Sequence, residues 1–210
     1  MPDATVELPL TFSVPEVFTD IDFQVSAETN TNRLIDNLES LDPRPTPEQI
    51  SHAVLAQQAM YEMLAAAGAV YAGVLLGGPS EDNPDKPLSS VMLSVTARPS
   101  ELSNEHTVRR LSRTMGALYP EAEVGVMVLD CGPAVVVTQD TKVPSPVNLL
   151  ENDTRPTVVR QLHIFVPVPG RLAMADFSLA TENIDEWEDC LELIGAVCRT
   201  IRFTDDAAAA

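Results

Sequence analysis

The thiols and imidazoles of this chain are Cys131, Cys190 and Cys198, and His52, His106 and His163. A thiol becomes a useful nucleophile when a base or a cation stands beside it. Cys131 lies in the turn Asp130-Cys131-Gly132-Pro133, and paired with His163 as base it makes the one thiol-enzyme constellation worth keeping. The plainer reading of the same residues is a small cysteine packed at a tight turn and a half-buried histidine. The adjacent Asp130 favours that reading, because a neighbouring carboxylate raises a thiol pKa. Cys190 and Cys198 stand eight positions apart on one helix, a rise of about 12 Å. That exceeds the roughly 7 Å between Cα atoms that a disulfide tolerates, and it keeps both sulfurs from sharing an ion that binds at about 2.3 Å. The histidines are scattered, so no metal site is assigned. Gly73, Gly77 and Gly78 are followed by no Gly-Lys-Ser/Thr, there is no Gly-x-Ser-x-Gly, and Asp82 and Asp85 lack the ligand pattern of a calcium loop. The expectation is no catalytic residue, no metal and no cofactor.

Charge says more about partners than about chemistry. Lys+Arg number 13 and Asp+Glu 31, a net charge of -18. Such a surface repels phosphate backbones and anionic lipid, which argues against nucleic-acid and membrane partners. Arg109, Arg110 and Arg113 form the local positive cluster, either to bind an acidic group or to pair with the chain's own carboxylates. Asp185, Glu188, Asp189 and Glu192 line one face of a helix and are the candidate partner-binding residues; their simpler role is a solvated surface. A basic partner would be steered to this chain, with an immunity-type protein that neutralises a basic toxin as the extreme case. Met1 to Leu10 has neither the basic start nor the apolar run of a signal peptide. The apolar stretch Met63 to Leu76 falls short of a span. The expected location is cytoplasmic, with reduced thiols.

The elements that must hold these residues are legible from pattern. Thr5 to Phe12 reads as an edge strand and Pro15 to Val25 as a second extended piece. Leu34, Leu38 and Leu41 mark a helix over Ala27 to Leu41, ended by Asp42-Pro43-Arg44-Pro45. Thr46, Pro47 and Gln49 spell a capped start. The helix that follows carries Ile50, Ala53, Val54, Met60, Tyr61 and Leu64 on one face, interrupted by Gln57, and closes at Gly68. An exposed apolar strip on it would make the chain a homodimer. Val70 to Leu76 reads as a strand covered on both faces, Gly77 to Pro87 as a polar loop, and Leu88 to Arg98 as a strand with Val91, Leu93, Val95 and Ala97 on one side. Ser103 caps a helix buried by Val108, Leu111, Met115 and Leu118, and Val124 to Leu129 with Ala134 to Thr138 makes a hairpin. Gln139 to Thr157, polar and broken by Pro144, Pro146 and Pro156, reads as a mobile segment.

Beyond it come a strand with His163, Gln161 and Phe165 on one face and Leu162, Ile164 and Val166 on the other, a Pro169-Gly170 turn, and a strand from Leu172 to Thr181. A helix capped by Asn183 and Glu186 follows, with the stripe Ile184, Trp187, Leu191, Ile194 and Cys198, then a closing strand to Phe203. Strands arranged as consecutive hairpins imply an α+β class: a central antiparallel sheet flanked by helices, an α/β/α-like sandwich. Residues 1–203 form one domain and residues 204–210 a frayed tail.

Phe165-Val166-Pro167-Val168-Pro169, the strand ending Phe177-Ser178-Leu179-Ala180-Thr181, and the Trp187 helix ending Cys198-Arg199-Thr200-Ile201-Arg202-Phe203 together resemble the PsbP-like fold, which includes actinobacterial LpqN-type proteins and the Ran-binding protein Mog. The chain lacks the lipoprotein signal and cysteine of LpqN-type members. The resemblance covers about a quarter of the chain by pattern, and it implies a non-catalytic domain that acts by binding proteins, as adaptor or chaperone. The alternative is a small-molecule-binding protein or a thiol-dependent enzyme using Cys131 and His163.

Overall fold

The computed structural model describes residues 9–23, 25–41, 44–77, 89–99, 105–144 and 156–204. Among them nine strands and four α-helices follow in the order β1 (Leu10–Thr11), β2 (Thr19–Asp20), α1 (Ala27–Glu39), α2 (Pro47–Ala66), β3 (Ala69–Gly77), β4 (Ser89–Pro99), α3 (Glu105–Leu118), β5 (Glu123–Leu129), β6 (Gly132–Pro144), β7 (Pro156–Pro167), β8 (Ala173–Thr181), α4 (Trp187–Thr200) and β9 (Arg202–Phe203). Seven strands make one sheet in the order β2-β3-β4-β8-β7-β6-β5, and β1 pairs with β9 apart from it. Every pairing is antiparallel. The class is α+β, as the hairpin pattern implies.

Period-two alternation sorts each strand onto two faces. On one, Val91, Leu93 and Val95 of β4, Leu162, Ile164 and Val166 of β7, and Ala175, Phe177 and Leu179 of β8 meet Cys190, Ile194, Val197 and Cys198 of α4. Phe12 sets its ring edge-on to Phe177 at 5.3 Å and to Tyr71 at 5.8 Å, tying the segment after β1 into this core. On the other face Val108 and Leu111 of α3 pack on Val135, Val137, Phe165 and Met174. Leu64 of α2 joins Ile21, Ala72, Val74 and Met92 there, further along the sheet. Helices thus lie on both faces.

The start of α2 follows the sequence closely. Thr46 accepts from the Gln49 amide and Gln49 Oε1 accepts from the Thr46 amide, with Pro47 in the first turn. Gly68, at φ 73°, turns the chain from the end of α2 into β3, a backbone state that costs a residue with a Cβ more.

Four expectations are corrected. Asn183 makes no capping bond through its side chain; its amide binds Thr181 Oγ1, the chain passes through a 3-10 turn at Ile184–Glu186, and α4 begins only at Trp187. That shift rotates the buried stripe to Cys190, Ile194, Val197 and Cys198 and leaves Leu191 exposed. Leu118 is exposed as well, because α3 reaches its end beyond the sheet-facing Val108, Leu111 and Met115. Finally, Gln139 to Pro144 continues β6 and Pro156 already belongs to β7, since both segments pair residue for residue, Gln139 with Gln161 through Pro144 with Pro156. The Gly78 to Pro87 loop, the Ser103 cap, the remainder of the Gln139 to Thr157 segment and the tail lie outside the described residues.

Candidate functional site

The first thing the fold decides is the fate of the Cys131 and His163 pair. Cys131 sits at the β5–β6 turn and packs against the core under α4. His163 stands on β7, paired with Val137 and Ser178 and stacked on Phe165, on the α3 side of the sheet. The two are on opposite faces and do not form one constellation. Burial raises the Cys131 thiol pKa, as it does for Cys190, and it pushes Cys198 up to about 11. The charge of Arg202 draws the Cys131 thiol back down, but burial outweighs it.

His163 instead meets a residue that pattern reading passed over. Its Nδ1 is 3.1 Å from Asp176 Oδ1, and the second Asp176 oxygen is 2.9 Å from Arg98 Nη2 without the alignment of a full hydrogen bond. Asp176 is 1% exposed, while the Arg98 side chain is 52% exposed. Ser94 and Thr96 are buried on the same face of the neighbouring strand, with Thr96 opposite Asp176. A buried carboxylate survives only when paired, and here one cation reaches in from solvent while an imidazole braces the other oxygen. The carboxylate fixes the ring, but among the described residues no hydrogen bond joins His163 to Ser178, its cross-strand neighbour, so no proton relay is assembled. The same residues hold no group of three or more metal-ligating side chains.

Of the acidic face read from the sequence, three residues lie on α4 and one lies in the turn before it. Asp185, in the 3-10 turn, and Glu188, Asp189 and Glu192 of α4 are all exposed, as is Leu191 among them. Among the described residues no Lys or Arg forms an ion pair with any of the four. At the same end of the sheet Arg160 makes two bonds to Asp140, at 2.7 and 2.8 Å, and stands 5.6 Å over the Trp187 ring. This holds the start of α4 against β6 and β7. Arg109, Arg110 and Arg113 are exposed on α3.

Among the described residues, the outer edges of the sheet have no strand beside them. One edge is β2, two residues long; the other is β5, seven residues in unbroken register with β6. Short strands, lysines, prolines and bulges are the usual guards of an edge. The sequence of β5, Glu-Val-Gly-Val-Met-Val-Leu, has none of them. Val126 is 52% exposed and Val128 82%, with Met127 exposed between them and Leu118 and Tyr119 exposed at the corner that feeds the strand. Among the described residues no strand pairs with the outer side of β5.

No family model, curated protein or solved structure matches the chain.

Sequence reading missed both Asp176 and the β5 edge, though each left a signal. Asp176 is the lone charge inside Ala173-Met174-Ala175-Asp176-Phe177, and an acid in so apolar a strand requires a buried partner. In β5 the alternation is missing, with apolar residues on both faces and a single charge at Glu123. A run of that kind marks a fully covered strand. At the edge of the sheet, β5 leaves part of that run exposed.

Proposed function

We propose that this protein is a non-catalytic polypeptide-binding domain, of adaptor or chaperone type, that engages its partner by strand addition to β5. One observation carries the reading: seven regular residues, paired on one side with β6, leave unpaired backbone and exposed Val126, Met127 and Val128 on the other among the described residues. An added strand supplies main-chain hydrogen bonds for affinity, while its alternate side chains supply selectivity. The rest of the sheet is a stiff scaffold for that edge, with a core on each face. The PsbP-like pattern of the carboxy-terminal third supports the same class of function. The carboxylates of Asp185, Glu188, Asp189 and Glu192 would add salt-sensitive attraction for a basic partner.

The test is capture from native-host lysate at low and high salt by the wild-type chain and by Val128→Lys. That side chain is 82% exposed, so the substitution leaves the fold intact, as circular dichroism will confirm. A stoichiometric polypeptide held by the wild type and lost from Val128→Lys is the expected result. Equal capture by both chains, or a bound small molecule and no polypeptide, would overturn the reading.

A further inference from the structure

We infer that the strand that fits β5 is β5 of a second copy, so that two sheets join edge to edge into one of fourteen strands, seven from each copy. The inference rests on the strand-addition reading and specifies its occupant. Pairing with β6 puts Val124, Val126 and Val128 on the α3 side of the sheet and Gly125 and Met127 on the α4 side. Antiparallel pairing about a two-fold axis through Val126 keeps these faces. It sets Val126 against Val126 of the other copy and Val124 against the other copy's Val128, an unbroken apolar row beside Leu118 and Tyr119.

On the opposite side the same register sets Met127 against Gly125 of the other copy, and this happens twice across the axis. A Cβ placed on Gly125 would meet nothing within 4 Å, so there is room for the methionine there. The strand's single charge, Glu123, falls opposite Leu129, and no like charges face each other. A slip of the pairing by one residue would match residues from opposite faces, while an axis through Met127 would set the two methionines against each other and one through Gly125 would set Glu123 against Met127. The sequence of β5 can therefore pair with itself with its apolar residues matched and no like charges opposed. Because each copy carries -18, the copies repel at a distance, and salt strengthens this contact while weakening one made through the α4 carboxylates.

Cysteine trapping tests the register directly, in a Cys131→Ser background with diamide as oxidant. Val126→Cys is expected to link to itself. Met127→Cys alone is expected to stay unlinked, and mixed with Gly125→Cys it is expected to form the mixed dimer. Sedimentation of the wild-type chain should show a concentration-dependent dimer that tightens with added salt, and Val128→Lys should abolish it. A wild type that stays monomeric at every concentration, with Val126→Cys unlinked, would overturn the inference, and so would self-linking of Met127→Cys in preference to Val126→Cys. If self-pairing fails while Val128→Lys still loses a captured polypeptide, only this inference falls and strand addition stands.

Discussion

Removing Arg98 should hurt the fold more than removing the carboxylate it serves. The two side chains are unequal: Asp176 is 1% exposed, and Arg98 is 52% exposed. Arg98→Met keeps most of the stem but strands a buried carboxylate with His163, 3.1 Å away, as its main support. Breaking a fully buried pair in this way costs about 3–5 kcal/mol. Solvent at the arginine end lowers the attraction that is lost, so about 2–3 kcal/mol is expected here. Asp176→Asn keeps the shape and leaves Arg98 free to enter water, for about 1 kcal/mol. In a chain of this length each kcal/mol moves Tm by about 2–4 °C, so the two variants should differ clearly in thermal unfolding followed by circular dichroism. The double variant should resemble Asp176→Asn alone, because no charge is then left buried. If Asp176→Asn proves as costly as Arg98→Met, or the double variant is additive, Arg98 is not the counter-charge and the account of this cluster fails.

Other consequences can be checked with the same equipment. Thr46→Ala removes one half of the capping box at α2 and should cost about 1 kcal/mol in urea unfolding, with Thr46→Gly costing less. At alkaline pH the chain should weaken. Burial moves the Cys198 thiol from 9.0 to about 11, and burial with the Asp20 hydrogen bond raises the Tyr71 phenol. Both groups hold their protons more tightly when folded, so stability is intact below pH 9.0 and declines as pH rises towards about 11. A urea midpoint that stays flat or rises over that window would contradict the burial of these groups. Cys190 and Cys198 should resist iodoacetamide until the chain unfolds, and Cys131→Ala should leave polypeptide capture unchanged. Rapid alkylation of Cys198 in the native state, or lost capture by Cys131→Ala, would count against this.

The architecture was legible wherever a local rule and the tertiary fold agree. Thr46, Pro47 and Gln49 cap α2 as their spacing implies, with the Thr46 and Gln49 side chains each bonding the other's amide. At Asn183 the same kind of signal failed, because Thr181 Oγ1 takes the amide first and the chain winds through a 3-10 turn before α4. Leu191 looked like part of the buried stripe for the same reason, since a late start rotates every later residue. The segment from Gln139 to Val143 reads as loop by composition, yet its backbone pairs with β7 regardless of side-chain polarity. The site was the least legible part. The acidic face was visible as a row of helical spacings, but Cys131 and His163 could be judged only once the strands assigned them to opposite faces. Whether β5 is an edge or an interior strand depends on sheet order, and sheet order is a long-range property that no window of sequence contains.

Amide hydrogen exchange along 123–129 is the most direct test of what β5 does. In dilute protein the outward-facing alternate amides should exchange fast and those bonded to β6 slowly. At high concentration, or with a captured polypeptide bound, the outward set should slow by about tenfold or more, while the outer edge at β2 stays as it was. If all seven β5 amides keep their dilute exchange rates in both conditions, no strand is added there and the central claim is wrong.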